Sequence, residues 1–472
     1  MKGWTRPALR PDAGTVGAGA HPVLRPGLVD VGKGLAVSVK PGPLRDGERP
    51  VVAAAVHAPE PGQALGAEAA GALVEAAETA LSLRAPLVLQ LASSGPPPDE
   101  DLSSLHGWGR IARALSRCSG SVPVVVVVEG PLLSGPALLL GLADAVVMTP
   151  GAFAYLSGPA AVAQMTGVPV QLAQLGGQRV HWARSGVASL VAPDAAGAME
   201  LVGELLSFLP AHSDELPPFR LSPDPASRST PELRDAVPAR ATGSYDVRVV
   251  VAGVADEGRF FELRGGWAPQ LVTGFVRLGG SPVGVLANQP QSMSGTLDIA
   301  ASQKGARFVE MCDAFNVPLL TVVDTSGFMP GKDLEWRGII RHGAELVFAY
   351  AEATVPRVCL VVRKAYGGAY IVMDSKAMGN DVCVAWPSAE LAVMGAEGAV
   401  NIVHRRAGPE QRARLVAEYE RAFLNPYVAA ERGYVDMVID PADTRRVLAG
   451  CFRALSTKRE RLVARKHGNT PL

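Results

Sequence analysis

The sequence predicts a layered α/β fold built twice in tandem. Three observations carry this: segments that recur at a fixed spacing, strand-length apolar runs that follow prolines, and helix-period segments that stand just before those runs. GERPVVAAAVHAPEP resembles GGSPVGVLANQPQS, and APLVLQLASSGPPP resembles VPLLTVVDTSGFMPG, with Pro50 matching Pro282, Pro86 matching Pro318 and Gly95 matching Gly327, each pair 232 residues apart. VPVVVVVEGPLLSGPALLLGLADAVVM resembles VPRVCLVVRKAYGGAYIVM, with Pro123 matching Pro356 and Gly135 matching Gly368, 233 residues apart. Five anchors within one residue of a common spacing mark a duplication.

Each half repeats ββα units. Residues 65–81 and 299–316 carry apolar side chains at helical spacing and predict helices. Residues 87–91 and 319–323 are almost continuously apolar and follow a proline, as strands buried on both faces do. Residues 122–148 form the most apolar stretch, but Glu129, Pro131, Pro136 and Asp144 interrupt it, so it predicts a core strand, a turn and a helix rather than a membrane span. Residues 332–355 read as one long helix. Between the halves, residues 210–245 hold seven prolines among Ser, Arg and Asp without periodicity, the composition of a connector. The chain therefore divides into 1–209, a Pro-rich connector 210–243, and 244–472.

A length of 472 residues calls for at least two domains, and 48% apolar residues supply large cores. Lys and Arg total 45 against 45 Asp and Glu, so no global field draws the chain to nucleic acid or an anionic membrane. Five scattered cysteines, Cys118, Cys312, Cys359, Cys383 and Cys451, suit buried thiols in a reducing compartment. Residues 1–10 lack an apolar core, so no secretory signal is expected there, and a cytoplasmic location is.

The loops of the second half hold the candidate chemistry. Gly367, Gly368 and Ala369 follow a buried strand and precede a helical run, where small residues let amide N–H groups face a cleft. Such a pair can receive charge developing on a carbonyl or ureido oxygen; the same pattern also suits a turn needed only for packing. A second Gly/Pro loop spans 326–331 and includes Gly327, and a third cluster comprises Gly395, Ala396, Gly398 and Ala399. His342 reads as a satisfied polar residue more readily than as a catalyst, and Arg337 and Arg341 as solvated helix charges more readily than as ligands for phosphates; the third cluster ends in the basic triplet His404, Arg405 and Arg406.

The segments ANQP, ARFVEMCDAFNVPLLTVVDTSGFMPG, IIRHGAELVFAYAEATVPRV, RKAYGGAYIVM, AWPSAELAVMGAEGAVNI and NPYVAAERGYVDMVIDPADTRR together resemble the carboxyltransferase β subunits of biotin-dependent acyl-CoA carboxylases, the acetyl- and propionyl-CoA carboxylase family. The resemblance covers nearly all of 245–472. It implies two crotonase-like domains, the C-terminal one receiving carboxybiotin and the N-terminal one acyl-CoA. It further implies a site between the N-domain of one subunit and the C-domain of another, in a hexamer. Gly368 and Ala369 would be the oxyanion pair on the carboxybiotin side. Tyr370 and Ile371, with Gly367, Gly327, Gly395 and Ala396, would line the pocket where biotin and the acyl group meet. In the family an acidic residue at the position of Ile371 accompanies propionyl preference, so Ile371 tilts the expectation towards acetyl-CoA, with propionyl-CoA open, and malonyl-CoA or its homologue as product. Enolate chemistry of this kind calls on no side-chain nucleophile and no metal. Because the chain has no lysine in a Met-Lys-Met context, the biotin carboxylase and the biotin carrier are expected on other chains or domains. A malonyl- or methylmalonyl-CoA decarboxylase running the same chemistry backwards stays open, as does a non-catalytic subunit.

The first half matches this family thinly over 47–210. Where the family has Gly-Gly-Ala, this chain has Ser134, Gly135 and Pro136, and a proline has no N–H to donate. Where the family has Asp-Ser-Gly-Gly-Ala-Arg, only Ser94 and Gly95 survive before Pro96. Two readings follow. Either the amides of Ser134 and Gly135 serve as the oxyanion pair beside Ser94 and Gly95, or the N-domain is a relic and the chain works beside a partner carboxyltransferase with an intact one.

Overall fold

A computed structural model describes residues 29–31, 35–44, 47–56, 65–95, 102–238, 240 and 243–471. The first half contributes β1 (Val29–Val31), β2 (Leu35–Leu44), β3 (Gly47–Val56), β4 (Leu87–Ser93), β5 (Val124–Leu133), β6 (Ala145–Met148), β7 (Phe153–Tyr155) and β8 (Leu190–Val191). The second contributes β9 (Phe261–Leu263), β10 (Leu271–Leu278), β11 (Ser281–Asn288), β12 (Leu319–Thr325), β13 (Arg357–Tyr366), β14 (Val382–Ala385), β15 (Glu390–Ala392) and β16 (Met437–Val438). Each set forms one eight-stranded sheet, ordered β1-β2-β3-β4-β5-β6-β8 with β7 on β5, and β9-β10-β11-β12-β13-β14-β16 with β15 on β13. In both, the first three strands pair antiparallel and the rest parallel.

The duplication extends to register. Val52 faces Leu87 as Gly284 faces Leu319, and Leu87 faces Val124 as Leu319 faces Arg357. Both ladders slip at matching places, between Leu91 and Ser93 and between Val323 and Thr325. Extra residues on one strand of a ladder bend it, so β5 and β13 both turn away from their neighbours just before the loops of interest.

Seven helices matter here: α1 (Ala67–Leu83), α2 (Leu102–Cys118), α3 (Ala195–Leu206), α4 (Ile299–Ala314), α5 (Ile339–Glu352), α6 (Gly367–Val372) and α7 (Thr444–Ala454). α1 buries Ala70, Leu73, Ala77 and Ala80, a helical stripe of mostly small residues. It lets α2 approach so closely that a Cβ on Gly107 would lie 2.9 Å from that of Ala70. α4 starts where the Asp298 carboxylate accepts the Ala301 N–H at 2.8 Å. Leu87, Leu89, Val124, Val126 and Val128 pack under α1 and α2. The opposite face of that sheet, Val88, Val125 and Val127, joins α3 and Phe208 to Phe261, Phe275 and Phe308 in one core shared by both halves. The far face of the second sheet lies under α7.

Three expectations change in detail. The run 122–148 becomes β5, a 3₁₀ segment (Gly135–Leu142) and β6, not a strand and an α-helix. The run 332–355 is broken by Gly338 at φ 86° into a short helix and α5. The connector packs against the second half: Leu233 is buried in its core and the Thr230 N–H donates to Ala442 O at 2.7 Å.

Buried charge fixes this arrangement. Arg445 of α7 is fully buried and donates to Val254 O (2.6 Å), Pro225 O (3.1 Å), Asp224 O (3.1 Å) and the Asp256 carboxylate (2.7 Å), tying connector, helix and sheet together. Asp256 also accepts the N–H groups of Gly279 and Gly280. Beneath α6, Arg357 at the start of β13 meets Asp374 at 2.5 Å, both buried, and donates to Gly379 O at 2.7 Å. Burial pushes the Asp374 carboxyl up to about 6, against the pull of Arg357.

Arg445→Met leaves Asp256 buried without its cation and should cost about 3–5 kcal/mol in denaturant unfolding; a loss under about 1 kcal/mol would show that the arginine is dispensable. For Asp374 the folded-state pKa lies above the unfolded one, so between pH 4 and 6 the folded chain holds a proton that the unfolded chain has released. That contribution to stability is full below pH 4 and lost as pH rises through 6. Asp374→Asn should therefore gain in melting temperature relative to the native chain as pH rises from 4 to 7, and a pH-independent difference would refute the assignment.

Candidate active site

The site residues of the second half gather at the carboxyl ends of β12, β13 and β15, where ligand crevices form in open α/β sheets. β13 delivers the chain to Gly367, at φ 60°, where a Cβ would come within 3.1 Å of Val393 O. A side chain is thus disfavoured twice, by backbone conformation and by space. α6 begins there, and the N–H groups of its first turn, which include those of Gly368 and Ala369, have no acceptor within the helix. Ala369 is buried, Tyr370 packs half-buried against the shared core, and Ile371 faces outward, 40% exposed. Burial raises the Tyr370 hydroxyl pKa well above its ordinary value, so the phenol stays protonated.

Gly327, at φ 132°, shapes the adjoining wall: its N–H meets Thr325 Oγ1 at 3.3 Å and its carbonyl accepts the Leu297 N–H at 3.1 Å. The next residue, Phe328, places its ring 3.8 Å from where a Cβ on Gly368 would stand. Gly395 precedes the helix Ala396–Val403, with the Tyr366 ring 3.4 Å from the position of its Cβ. The Tyr366 hydroxyl donates to Glu390. Phe328, Tyr366 and Glu390 went unnoticed in the sequence, where an aromatic residue next to a glycine loop was the available signal.

A buried triad holds the strand ends behind this cleft. Arg363 Nε donates to Asp324 at 3.0 Å, the Tyr245 hydroxyl donates to the same oxygen at 2.8 Å, and Arg363 Nη1 reaches Gly243 O at 2.7 Å. Burial raises the Asp324 carboxyl pKa while Arg363 lowers it. The other polar residues stand apart from the turn. His342 is engaged with Glu345 at 2.7 Å and Gln303 at 3.2 Å, Arg337 pairs with Asp333 on an exposed face, and His404, Arg405 and Arg406 are exposed.

The first half repeats the frame with different contents. Gly95, at φ 109°, matches Gly327: its carbonyl accepts the Leu65 N–H at 3.3 Å, and Ser93 takes the part of Thr325. Ser94 adjoins it, while Pro96 lies outside the described residues. Ser134 matches Gly367 and adopts the same positive φ, 62°. A Cβ on Gly95 would lie 3.9 Å from that of Ser134, so these loops meet as their counterparts do. The Ser134 N–H donates to Tyr155 O at 2.9 Å, however, and is not free to receive an oxyanion. Pro136 is buried, and the Trp108 indole lies against Gly135, 2.7 Å from where a Cβ would stand.

The chain matches the carboxyl transferase domain over residues 45–470. It is 44% identical over 419 residues to the carboxyltransferase subunit of propionyl-CoA carboxylase from Haloferax mediterranei, covering 87% of this chain and 81% of that one. It is 39% identical over 412 residues to the methylmalonyl-CoA decarboxylase subunit alpha of Veillonella parvula, covering 87% and 81%. Its structure superposes on the transcarboxylase 12S crystal structure, a hexamer solved with methylmalonyl-CoA, with a TM-score of 0.89 at 43% identity, covering 93% of this chain and 85% of that one. With the duplicated sheets and paired turns in place, these matches establish that the chain is a carboxyltransferase and belongs to the carboxyltransferase family of the biotin-dependent acyl-CoA carboxylases.

Proposed function

We propose that this chain transfers a carboxyl group between carboxybiotin and the α-carbon of propionyl-CoA, with methylmalonyl-CoA as the carboxylated partner. The observation that carries the reading is the turn at Gly367, Gly368 and Ala369, whose first-turn amides have no acceptor within the helix and whose residues carry no side chain beyond a methyl group. The residues fit biotin there, because the missing side chains leave room for a flat ureido ring against the backbone. When bound, carboxybiotin supplies the carboxyl group and a basic ureido nitrogen. The N–H groups of Gly368 and Ala369 hold the negative charge that develops on oxygen, a contribution of about 2.7–4 kcal/mol for each donor removed. Tyr370 and Ile371 wall the meeting point of biotin and acyl group, with Phe328 and Gly327 opposite. The site is completed by the N-terminal half of a neighbouring subunit in a hexamer, and biotin arrives on a carrier charged by a separate biotin carboxylase, in the cytoplasm.

The acyl group follows the relatives rather than the expectation drawn from Ile371 alone. The three similar proteins described above are named for propionyl- and methylmalonyl-CoA, and an exposed isoleucine offers a methyl branch apolar contact worth about 0.8 kcal/mol per CH2. The acetyl preference is set aside on that ground. A decarboxylase role is the second reading, favoured by the Veillonella relative. Release of CO2 from methylmalonyl-CoA without ATP, at a rate matching transfer, would select it.

Gly368→Pro removes one donor at a helical position that tolerates proline. In the complex isolated with its own partner subunits it should lower kcat for propionyl-CoA carboxylation roughly 10²–10³-fold with an unchanged melting temperature. Retained activity would reject the assignment. Ile371→Ala should reduce the propionyl-to-acetyl ratio of kcat/KM by about threefold to tenfold, the value of one or two lost methyl contacts. A constant ratio would place acyl selection elsewhere.

A further inference from the structure

We infer that the two halves of this chain are unequal, and that it works beside a second, non-identical carboxyltransferase chain that supplies the acyl-CoA half of each site. This rests on the two-subunit reading of the site proposed above. The partner is defined by its chemistry: the same fold, with a residue other than proline at the position matching Pro136, so that the second amide of the pair carries an N–H.

Gly367, Gly368 and Ala369 correspond, at the 233-residue spacing, to Ser134, Gly135 and Pro136. The Ser134 N–H donates to Tyr155 O at 2.9 Å, Pro136 has none, and the next amide, of Ala137, turns back to Ser134 O at 2.9 Å. Only the Gly135 amide is left of the pair. Beside it stands the Trp108 indole, 2.7 Å from the position of a Gly135 Cβ, where Gly368 has nothing nearer than the Phe328 ring at 3.8 Å.

Ser134 shows that this is not a loosened loop. A serine holds φ 62° and ψ −143°, a region costly for any residue with a Cβ, and does so where its counterpart is glycine. The fold has kept the turn and lost one donor of the pair. An acyl-CoA thioester placed here would form its enolate against one amide instead of two, while the α6 turn of the same chain keeps both. In a homo-oligomer every site would then carry the defect, whereas a mixed assembly pairs the sound C-terminal half of this chain with a sound N-terminal half from its partner.

The test uses a probe chain carrying Ser134→Gly, Pro136→Ala and Gly368→Pro, whose N-terminal turn is repaired and whose C-terminal turn is disabled. The readout is methylmalonyl-CoA-dependent carboxylation of free biotin. The native chain alone and the probe alone should each turn over at least about 100-fold more slowly than the two co-expressed, the effect of one oxyanion donor. If the native chain alone matches the co-expressed pair, or if co-expression brings no rise, the inference is overturned. Should the probe not join the oligomer by size exclusion, the Ser134→Gly, Pro136→Ala chain replaces it and must itself exceed the native chain by the same factor, or the inference falls. The carboxyltransferase reading fails separately, because the Gly368→Pro effect in the isolated complex does not depend on which chain provides the acyl-CoA half.

Discussion

The slipped parallel ladder at the ends of β4 and β5, and again at β12 and β13, is the constraint on which the site depends. A buried strand that simply continued would point its next residues into the neighbouring layer. The slip bends β13 and releases the chain at the sheet's carboxyl edge, where one residue of positive φ reverses it into α6. The first half makes the same reversal at Ser134, at the same φ and with an unsuitable residue. Because the conformation survives a side chain that opposes it, the sheet geometry imposes the turn, and the residue in it only adapts.

What keeps the slip in place is buried and mostly ionic. Asp324 closes β12, and Arg363 with Lys364 stands near the end of β13; the Asp324 carboxylate takes Arg363 Nε, the Lys364 N–H and the Tyr245 hydroxyl together. At the other end of β13, Arg357 holds Asp374 just beyond α6. α6 is therefore pinned just beyond its carboxyl end, as suits a helix whose first-turn amides are proposed to hold developing charge. Preorganised donors act because they need no reorganisation during reaction. The first half is built on packing instead: α1 and α2 meet through alanines and glycine, and Ala92 and Gly130 stand where the second half has Asp324 and Arg363.

The repeated spacing made much of this legible. Pro86 and Pro318, Pro123 and Pro356 each stand just before a strand, so matching prolines aligned β4 with β12 and β5 with β13. Helix ends were less legible. Residues 332–355 read as continuous because their apolar periodicity runs on, yet Gly338 at φ 86° divides them, and a φ cannot be read from periodicity. The walls of the site were hidden for a related reason: Phe328 and Tyr366 approach Gly368 and Gly395 across loops, and only the fold brings them together. The Ser134 amide misled for the opposite reason. It is a backbone donor in a small-residue turn, as expected, but its partner Tyr155 lies on a strand that the sequence reading did not pair with β5.

The comparison of the two turns separates what a fold conserves from what a reaction needs. Gly95 and Gly327 both keep a positive φ, Ser93 and Thr325 keep the same hydroxyl contact, and the Leu65 and Leu297 N–H groups keep the same hydrogen bond to the glycine carbonyl. All of these stabilise the folded chain whether or not it turns over substrate. Free N–H groups at the turn do the reverse, since an amide without an acceptor is a liability until an oxyanion arrives. A proline in the first turn of a helix removes such a donor with no loss of packing, and Pro136 is buried at such a place. At the turns themselves, the asymmetry between the halves thus falls on backbone donors, while the contacts that hold the loops in place are kept in both.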